Sequence, residues 1–292
     1  MQKKKVILIF LGILAMLNIL AWIAVLDLSG QKFLEVTFFD VGQGDSSFIE
    51  TPNGFQILID GGPSSKVLEK LGKKMPFWDR SIDLIISSHP DPDHLLGLID
   101  VSKNYKVGAV VTNGTVSSRP EFLEFKNLLE KNKVPLIVLK KNNQILIGEN
   151  LYFKILAPLE DFEGREVADF NSSSIVAKMG YYKSAFLFMG DTPKSVEEDL
   201  VLEDGALLDS DVLKVAHHGS KTAKSEIFYE TVSPKFAIIQ VGLNNQYGHP
   251  HQEVLEALAK YGIYTMRTDQ EGDIKIISDG ENLKILSNNK TF

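Results

Sequence analysis

The stretch SSHPDPDH, residues 87–94, holds the side chains best suited to binding a metal ion. His89, Asp91 and Asp93 are spaced two positions apart, so an extended backbone directs all three side chains to the same side. The two intervening prolines favour this extended form and limit the backbone entropy lost on binding. A second histidine follows directly. Two imidazoles and two carboxylates so close together predict a site for a divalent cation that compensates their charge.

The remaining histidines strengthen this interpretation because none is isolated. The chain has six histidines in three clusters: His89 with His94, His217 with His218, and His249 with His251. A lone Asp–His pair would usually be a polar loop that caps a helix, here with Asp93 as the N-cap. The density of the first cluster, and two further clusters in later loops, favour a metal site instead.

Apolar strands and amphipathic helices are predicted around these clusters. Three strands are expected within 33–62 and further strands at 83–88, 106–112 and 135–139, while 212–220 and 235–242 are each expected to form a strand followed by a loop. Hairpins are expected at 144–158, at 173–191 with its turn near Gly180, and at the C-terminus with its turn at Asp279-Gly280. Helices are expected at 64–75, 94–101, 121–132 and 253–262.

Four predicted strands end directly in polar clusters, which lie at 89–94, 190–192, 217–220 and 243–250. Strand ends of this kind converge on one edge of a sheet or sandwich, where a rigid scaffold carries variable loops and enzymes place their chemistry. No repeat, low-complexity tract or long linker follows residue 32. Residues 31–292 are therefore expected to form one α/β domain.

The N-terminal segment 1–30 predicts a membrane anchor. Residues 6–26 are 21 consecutive residues with one polar member, Asn18, and no charge, which is long enough to cross a bilayer. Lys3, Lys4 and Lys5 precede this run and predict a cytoplasmic N-terminus. The expected location is thus the cell membrane, with a single span and the remaining domain outside the cytoplasm. A cleaved signal peptide and a buried core helix are the alternatives.

Composition excludes some classes of protein. The net charge is −7, and an acidic body argues against a protein that binds nucleic acid strongly through a basic surface. It leaves open a nuclease whose bound metal ions supply the positive charge. The chain has no cysteine, so disulfides and thiolate ligands are excluded. No Gly-x-Ser-x-Gly motif for a serine nucleophile is present.

The first motif resembles the His-x-His-x-Asp-His signature of the metallo-β-lactamase fold, with Asp91 in place of the second histidine. Together with FDVGQGD at 39–45 and AHHGSK at 216–221, this variant is similar to the C-terminal hydrolase domain of ComEC-type DNA-uptake competence proteins. The resemblance covers about residues 33–285. It implies a four-layer αββα sandwich, preceded here by one transmembrane helix.

The resemblance also implies a site for two divalent metal ions. His89 and Asp91 would hold the first ion, and Asp93 and His94 would hold the second. Asp191 matches the carboxylate that bridges the two ions, although an aspartate before Thr-Pro can also be a turn former or a helix cap. In a second layer, the residues expected to brace the site or to serve the fold are Asp40, Gln43, Gly44, Asp45 and the segment Asp60-Gly61-Gly62.

The later histidines take the remaining roles that the resemblance implies. His218 would complete the second metal site, while His217 would contact a substrate phosphate or donate a proton. His249 would orient the substrate or polarise a phosphoryl oxygen, and His251 is expected to be structural. Asp93, His217 and His249 are thus the predicted catalytic residues.

One departure from the family pattern affects the choice of metal. The fold usually supplies another histidine to the first ion, but no histidine lies between His94 and His217. Asn171 lies in the corresponding stretch, where it would be a weak ligand or a turn former. The first site is then rich in oxygen, which shifts its preference from zinc toward manganese or magnesium. The expected cofactors are therefore two Zn²⁺ or Mn²⁺ ions.

The predicted function is metal-dependent hydrolysis of phosphodiesters outside the cytoplasm, with DNA as a candidate substrate. An esterase of smaller phosphate esters, of the phosphorylcholine type, is one alternative. A catalytically inactive binding module is another, and the presence of Asp93, His94 and Asp191 argues against it. The membrane is an expected partner through the N-terminal helix, and the sequence predicts no protein partner.

Overall fold

The structure, a computed structural model, describes residues 2–28 and 33–287 and contains two mixed β-sheets that face each other. The first sheet has the order β15-β14-β1-β2-β3-β4-β5-β6, with β1 Leu34–Phe38, β2 Ser47–Glu50, β3 Gln56–Ile59, β4 Ser81–Ile86, β5 Lys106–Thr112, β6 Leu136–Val138, β14 Ile274–Ser278 and β15 Leu283–Leu286. The second has the order β13-β12-β11-β10-β9-β8-β7, with β7 Gln144–Ile147, β8 Leu151–Ala157, β9 Val176–Tyr181, β10 Ser184–Phe188, β11 Val212–Lys214, β12 Phe236–Ile239 and β13 Tyr264–Arg267.

Helices on the outer faces of both sheets complete a four-layer helix–sheet–sheet–helix sandwich. The helices of the sandwich are α2 Lys66–Lys74, α3 Pro92–Asn104, α4 Pro120–Lys131, α5 Lys194–Leu208, α6 Glu226–Val232, α7 Gln252–Lys260 and the short α8 Thr268–Glu271, while α1 Gln2–Leu28 lies outside it. Apolar side chains of both sheets, such as Phe38 and Phe186, form the central core. α2, α3 and α4 pack on the first sheet, and α5, α6 and α7 pack on the second, so the predicted αββα sandwich is confirmed.

The parallel strands of each sheet end at one edge of the sandwich. In the first sheet, Ile59 pairs with Ile86 and Ile86 pairs with Val111, so β3, β4 and β5 end side by side. In the second sheet, Phe188 pairs with Lys214 at the ends of β10 and β11. Parallel strands need long crossovers, and here α3 and α5 provide two of them. The polar clusters of the sequence therefore meet at one edge.

Helix α1 contains a candidate membrane span, Lys3–Ile23, with a mean hydropathy of 2.7. None of the 18-residue window that defines this span is buried against the rest of the protein. Among the described residues it is the only helix long and apolar enough to cross a bilayer. The structure thus contradicts the alternative of a buried core helix. A membrane anchor and a signal sequence are both consistent with a long, apolar and exposed helix. The predicted boundary at residues 30 and 31 falls outside the described residues.

The predicted hairpin at 173–191 is present, and its turn lies two residues after Gly180. Tyr181 pairs with Ser184, so the turn is made by Tyr182 and Lys183, and Gly180 lies inside β9. A Cβ atom at Gly180 would lie 2.4 Å from the ring of Tyr152 on the neighbouring strand. The glycine is needed for close packing rather than for a turn, and the sequence signal for the two roles is the same. Helices α5 and α6 and strand β13 were not predicted.

Buried Glu197 on α5 makes the stability of the protein depend on pH. Burial raises the pKa of Glu197 well above its usual value, so the folded state retains a proton that the unfolded chain releases near pH 4.5. Stability therefore falls as the pH rises above 4.5. Glu197→Gln removes this loss of stability. The free energy of unfolding of the variant should exceed that of the wild type by an amount that grows from about pH 5 to about pH 8, by at most about 1.4 kcal/mol per pH unit. Thermal denaturation at both pH values measures it.

The matched control is Glu198→Gln, whose side chain is 46% exposed. This variant should leave the pH dependence of the wild type unchanged. An equal gain for Glu197→Gln at both pH values would mean that Glu197 is ionised inside the folded protein.

Candidate metal centre

The loop between β4 and α3 carries the SSHPDPDH stretch at the edge where the strands end. α3 begins at Pro92, two residues earlier than predicted, because the fixed φ of proline suits the first helical position. Asp91 is the N-cap residue, with φ −74° and ψ 148°, so the N-cap position that the alternative interpretation gave to Asp93 belongs to Asp91. His94 is fully buried in the first turn, beside Asp93.

Four side chains from three separate loops meet at this edge. They are Asp93, His94, Asp191 and His218, and one ligand atom of each lies within 4.8 Å of the others. Nε2 of His218 lies 3.2 Å from Asp93 Oδ2 and 3.3 Å from Asp191 Oδ2. Nε2 of His94 lies 3.3 Å from Asp191 Oδ1. Each carboxylate oxygen of Asp191 thus faces a different imidazole, so this side chain lies between His94 and His218.

The buried histidines at this edge direct the same ring atom toward the cluster. Nδ1 is 2.8 Å from Asp60 in His94, 2.9 Å from the Gln240 carbonyl in His218, and 3.0 Å from the Ser88 hydroxyl in His89. Ser88 donates its own proton to Asp60 at 2.6 Å, so its oxygen accepts from His89. Nδ1–H donates in all three rings, so in its neutral form each imidazole presents the Nε2 lone pair that binds a metal ion.

Several buried atoms of the cluster have no hydrogen-bond partner among residues 2–28 and 33–287. These atoms are Nε2 of His89, Nε2 of His94 and Oδ1 of Asp191. Leaving such atoms unpaired inside a protein costs about 1–3 kcal/mol each, so these atoms need a binding partner that compensates for the loss of water. A divalent cation satisfies imidazole nitrogens and carboxylate oxygens together, and the side chains present therefore fit a metal ion.

A buried ion pair supports the cluster from the side of the second sheet. Lys214, the last residue of β11, forms an ion pair with Asp45 and donates a hydrogen bond to the Gly190 carbonyl at 3.1 Å. Asp45 Oδ1 in turn lies 3.2 Å from Nδ1 of His218. Lys214 therefore connects the loop after β1 to the residue that precedes Asp191, and it limits the freedom of both.

Electrostatics within the cluster oppose the effect of burial. Burial lowers the pKa of His94 and His218, but the carboxylates around them, above all Asp191, outweigh it and raise both pKa values well above normal. Burial raises the pKa of Asp191, but the two imidazoles outweigh it and hold that pKa well below its usual range. The cluster thus requires positive charge, which protonated histidine or a metal ion can supply.

The predicted first site is less complete than this cluster. Nε2 of His89 lies 3.6 Å from Asp91 Oδ2, while the other oxygen of Asp91 accepts a hydrogen bond from Arg119 at 2.7 Å. Burial lowers the pKa of His89 to about 4, so this imidazole is neutral at pH 7 and able to act as a ligand. Asn171 lies in a short 3₁₀ turn, Asn171–Ser173, and its backbone N–H bonds Asp169. Only the second predicted set forms a compact group within the described residues.

The catalytic histidines predicted from the sequence lie at the open side of the cluster. Nε2 of His217 is 4.0 Å from Asp191 Oδ2, and 27% of its side chain is exposed. The ring of His249 is 5.7 Å from that of His217, and Tyr247 stacks on His249 at 5.7 Å and 25°. His251 is the N-cap residue of α7 and accepts a hydrogen bond from the backbone of Lys221, in keeping with a structural role.

Backbone conformation separates the two adjacent histidines. His217 and His218 have φ values of 47° and 52°, in the left-handed region that non-glycine residues rarely adopt. This strained conformation buries His218 in the cluster and leaves His217 at its open side. Strain of this kind is stored at functional sites when the surrounding structure supports it.

Three residues that shape the site were missed by sequence reasoning. They are Lys214, Gln240 and Arg119. A lysine inside the apolar run VLKVA and a glutamine at the end of AIIQVG were visible signals, because charged and polar residues inside buried strands need a partner. Arg119 gave no such signal.

Comparisons with known proteins identify the family. The model of the family described as "Metallo-beta-lactamase superfamily" matches residues 39–242. The chain is 34% identical over 258 residues to ComE operon protein 3 of Bacillus subtilis (strain 168), and the match covers 82% of this chain and 32% of the relative. It is 29% identical over 240 residues to Competence protein ComA of Neisseria gonorrhoeae, with the same shares of 82% and 32%. The chain thus spans about a third of the length of these curated relatives.

Solved structures share the fold at low sequence identity. Igni18, described as a novel metallo hydrolase from the archaeon Ignicoccus hospitalis, matches with a TM-score of 0.52 and 12% identity over 82% of this chain and 98% of its own. CmlA, a diiron β-hydroxylase from Streptomyces venezuelae, matches with a TM-score of 0.52 and 14% identity over 80% of this chain and 52% of its own. These similarities support the sandwich architecture and no particular reaction.

Proposed function

We propose that this chain, which belongs to the metallo-β-lactamase superfamily, is a metal-dependent phosphodiesterase that cleaves DNA outside the cytoplasm. The observation that carries the proposal is the cluster of Asp93, His94, Asp191 and His218, whose inward-facing atoms fit a divalent cation. The mixed nitrogen and oxygen ligands suit Zn²⁺ or Mn²⁺. A second ion would use His89 and Asp91, with Asp191 between the two.

The residues of the site take complementary roles in this proposal. When bound, a divalent ion polarises a phosphoryl oxygen and lowers the pKa of a water molecule. Asp93, with 34% of its side chain exposed, lies where it can orient the attacking water. His217, at the open side, can accept a proton or pass one to the leaving oxygen as the P–O bond breaks. His249 positions the phosphodiester beside it.

DNA is the proposed polymer for two reasons. Relatives carry the names Competence protein ComA and Recombination protein 2, and DNA is the substrate that these names suggest. In addition, the ring of Tyr247 is 57% exposed and stacked on His249, next to the cluster. An exposed aromatic ring beside a phosphodiester site can stack a nucleobase, which contributes about 1–3 kcal/mol per base.

The proposed location follows from α1. Its apolar run would anchor the chain in the cell membrane by a single span, and Lys3, Lys4 and Lys5 before it would keep the N-terminus in the cytoplasm. The hydrolase domain then lies on the outer side, where DNA from the surroundings is accessible.

A comparison of polymeric and small substrates tests the function. The full-length protein in detergent, with Mn²⁺ or Zn²⁺ added, should cleave single-stranded DNA and bis-p-nitrophenyl phosphate. Tyr247→Ala should raise KM for DNA by about tenfold, because the lost stacking is worth about 1.4 kcal/mol, and leave cleavage of the small diester within about twofold. The control is Tyr182→Ala, which removes another exposed tyrosine, at the opposite end of β10, and should change neither value.

Two other outcomes would contradict the proposal. Cleavage of p-nitrophenyl phosphorylcholine without cleavage of DNA would favour an esterase of small phosphate esters. No cleavage of any substrate by metal-loaded protein would favour a binding module.

A further inference from the structure

Two aromatic side chains are exposed in the loop between α2 and β4. Phe77 is 79% exposed and Trp78 is 60% exposed, and their rings pack edge to face at 4.8 Å. Tryptophan occurs only twice in the chain, here and at Trp22 in α1. Paired exposed aromatic residues are costly in water and usually mark a contact with a partner or a membrane.

The loop lies at the end of the sandwich opposite the metal centre. β4 starts directly after the loop and runs toward His89. β1 starts at the same end as β4, because β1 and β3 both pair antiparallel with β2, and β3 pairs parallel with β4. We call this end, which includes residues 33–34 and 76–80, the distal rim. Phe33, just before β1, is 45% exposed there.

The distal rim is also the end to which α1 is connected. α1 ends at Leu28 and β1 begins at Leu34, so the chain between them can span at most about 20 Å. If α1 crosses the membrane, the distal rim is held near the surface of that membrane. Rings of tryptophan and phenylalanine favour the membrane–water interface, and tryptophan is enriched there.

The basic residues of the distal rim also favour contact with a membrane surface. Arg80 and Lys106 are exposed, and the backbone N–H of Lys106 donates to the Arg80 carbonyl at 2.8 Å, so the two residues are neighbours beside the aromatic pair. These two basic residues outnumber the single acidic residue of the loop, the half-buried Asp79, and so favour a surface of anionic lipid head groups.

We propose that Phe77 and Trp78 insert into the interface of the same membrane that α1 crosses and so form a second attachment of the domain. The proposal rests on the membrane anchoring by α1 proposed above. β4 contains six residues, which extend over roughly 20 Å, so the docked domain would direct its metal centre away from the bilayer. The site would then receive polymers arriving from outside, and not the phosphodiesters of lipids in the leaflet on which the domain rests.

The two tryptophans allow a direct test with the full chain. Trp22→Phe leaves Trp78 as the single tryptophan, and Trp78→Phe leaves Trp22. Each variant is reconstituted into vesicles of phosphatidylcholine and phosphatidylglycerol in which part of the lipid carries bromine, a quencher of tryptophan fluorescence. Because Trp22 lies near the outer end of the span, we expect it to be quenched most by bromine in the outer part of the acyl chains, and Trp78 most by bromine near the head groups. Phe77→Asp in the Trp22→Phe background should at least halve the quenching of Trp78.

The outcomes separate docking from anchoring. Quenching of Trp22 without quenching of Trp78 would overturn docking while leaving the anchor in place. No quenching of either residue would overturn both. If the fluorescence of Trp78 were blue-shifted but not quenched by brominated lipid, Trp78 would be buried against protein, such as a second copy of the chain. That result would also overturn the proposal.

Discussion

Asp191→Asn is expected to remove most of the bound metal and to lower hydrolysis by more than about 100-fold, which is the upper range for losing a residue that only supports a ligand. The reason is geometric, because each oxygen of Asp191 lies 3.3 Å from a different imidazole, in His94 and His218. Asparagine keeps the shape of the side chain but removes its charge and one acceptor oxygen. Elemental analysis of the purified protein and the rate of diester cleavage measure the two effects.

The matched control for this prediction is Asp211→Asn. Asp211 is a partly buried aspartate that accepts from the backbone of Ala185 and pairs with Lys235, at the end of the second sheet remote from the cluster. Its replacement should leave metal content and hydrolysis unchanged. If Asp191→Asn retained a full complement of metal, the proposed ligand set would be wrong.

Gly97→Ala is expected to destabilise the protein by about 3 kcal/mol and to weaken metal binding. A Cβ atom at Gly97 would lie 1.9 Å from the carbonyl oxygen of Gly61, which is the residue after Asp60. The backbone of Gly61 also donates to the carbonyl of His94 at 2.8 Å. Pushing α3 away from this segment would disturb the 2.8 Å contact between Asp60 and His94 and thereby the orientation of the imidazole.

Chemical denaturation and titration with Mn²⁺ or Zn²⁺ measure these two effects. Gly72→Ala is the matched control, because Gly72 lies inside α2 and a Cβ atom there would have no neighbour within 4 Å. This substitution should stabilise the protein by about 1 kcal/mol through helix propensity and leave metal affinity unchanged. If Gly97→Ala had the same free energy of unfolding as the wild type, α3 could move away from Gly61 without an energetic cost, and the prediction would be wrong.

The metal motif and most strands could be predicted from the sequence because their signals are local. The apolar run 106–112, for example, matches β5 at both ends, because polar or turn-forming residues on either side limit a buried strand. Helix α5 was missed because its sequence, KSVEEDLVLEDGALL, has weak apolar periodicity and a glycine inside it. The fold family was accessible through the motifs at 39–45, 89–94 and 216–221, which occur in this order along the chain.

The roles of the two adjacent histidines show where sequence reasoning reached its limit. A choice between His217 and His218 depends on side-chain direction, and both residues adopt a left-handed backbone conformation that non-glycine residues rarely adopt. The structure places His218 in the cluster, as favoured from the family resemblance, and His217 at its open side. No local pattern encodes that conformation.

By itself the sequence determined the candidate metal-binding side chains and the apolar N-terminal segment, because spacing and periodicity act within a few residues. The layered fold was implied by the resemblance of its motifs to a known family. Only the tertiary structure decided which of those ligands form a compact group, since Asp93, Asp191 and His218 are brought together from positions far apart in the chain. It also decided that Arg119 holds Asp91 and that Lys214 pairs with Asp45. Contacts of this kind depend on how the strand ends of two sheets meet, which no single segment specifies.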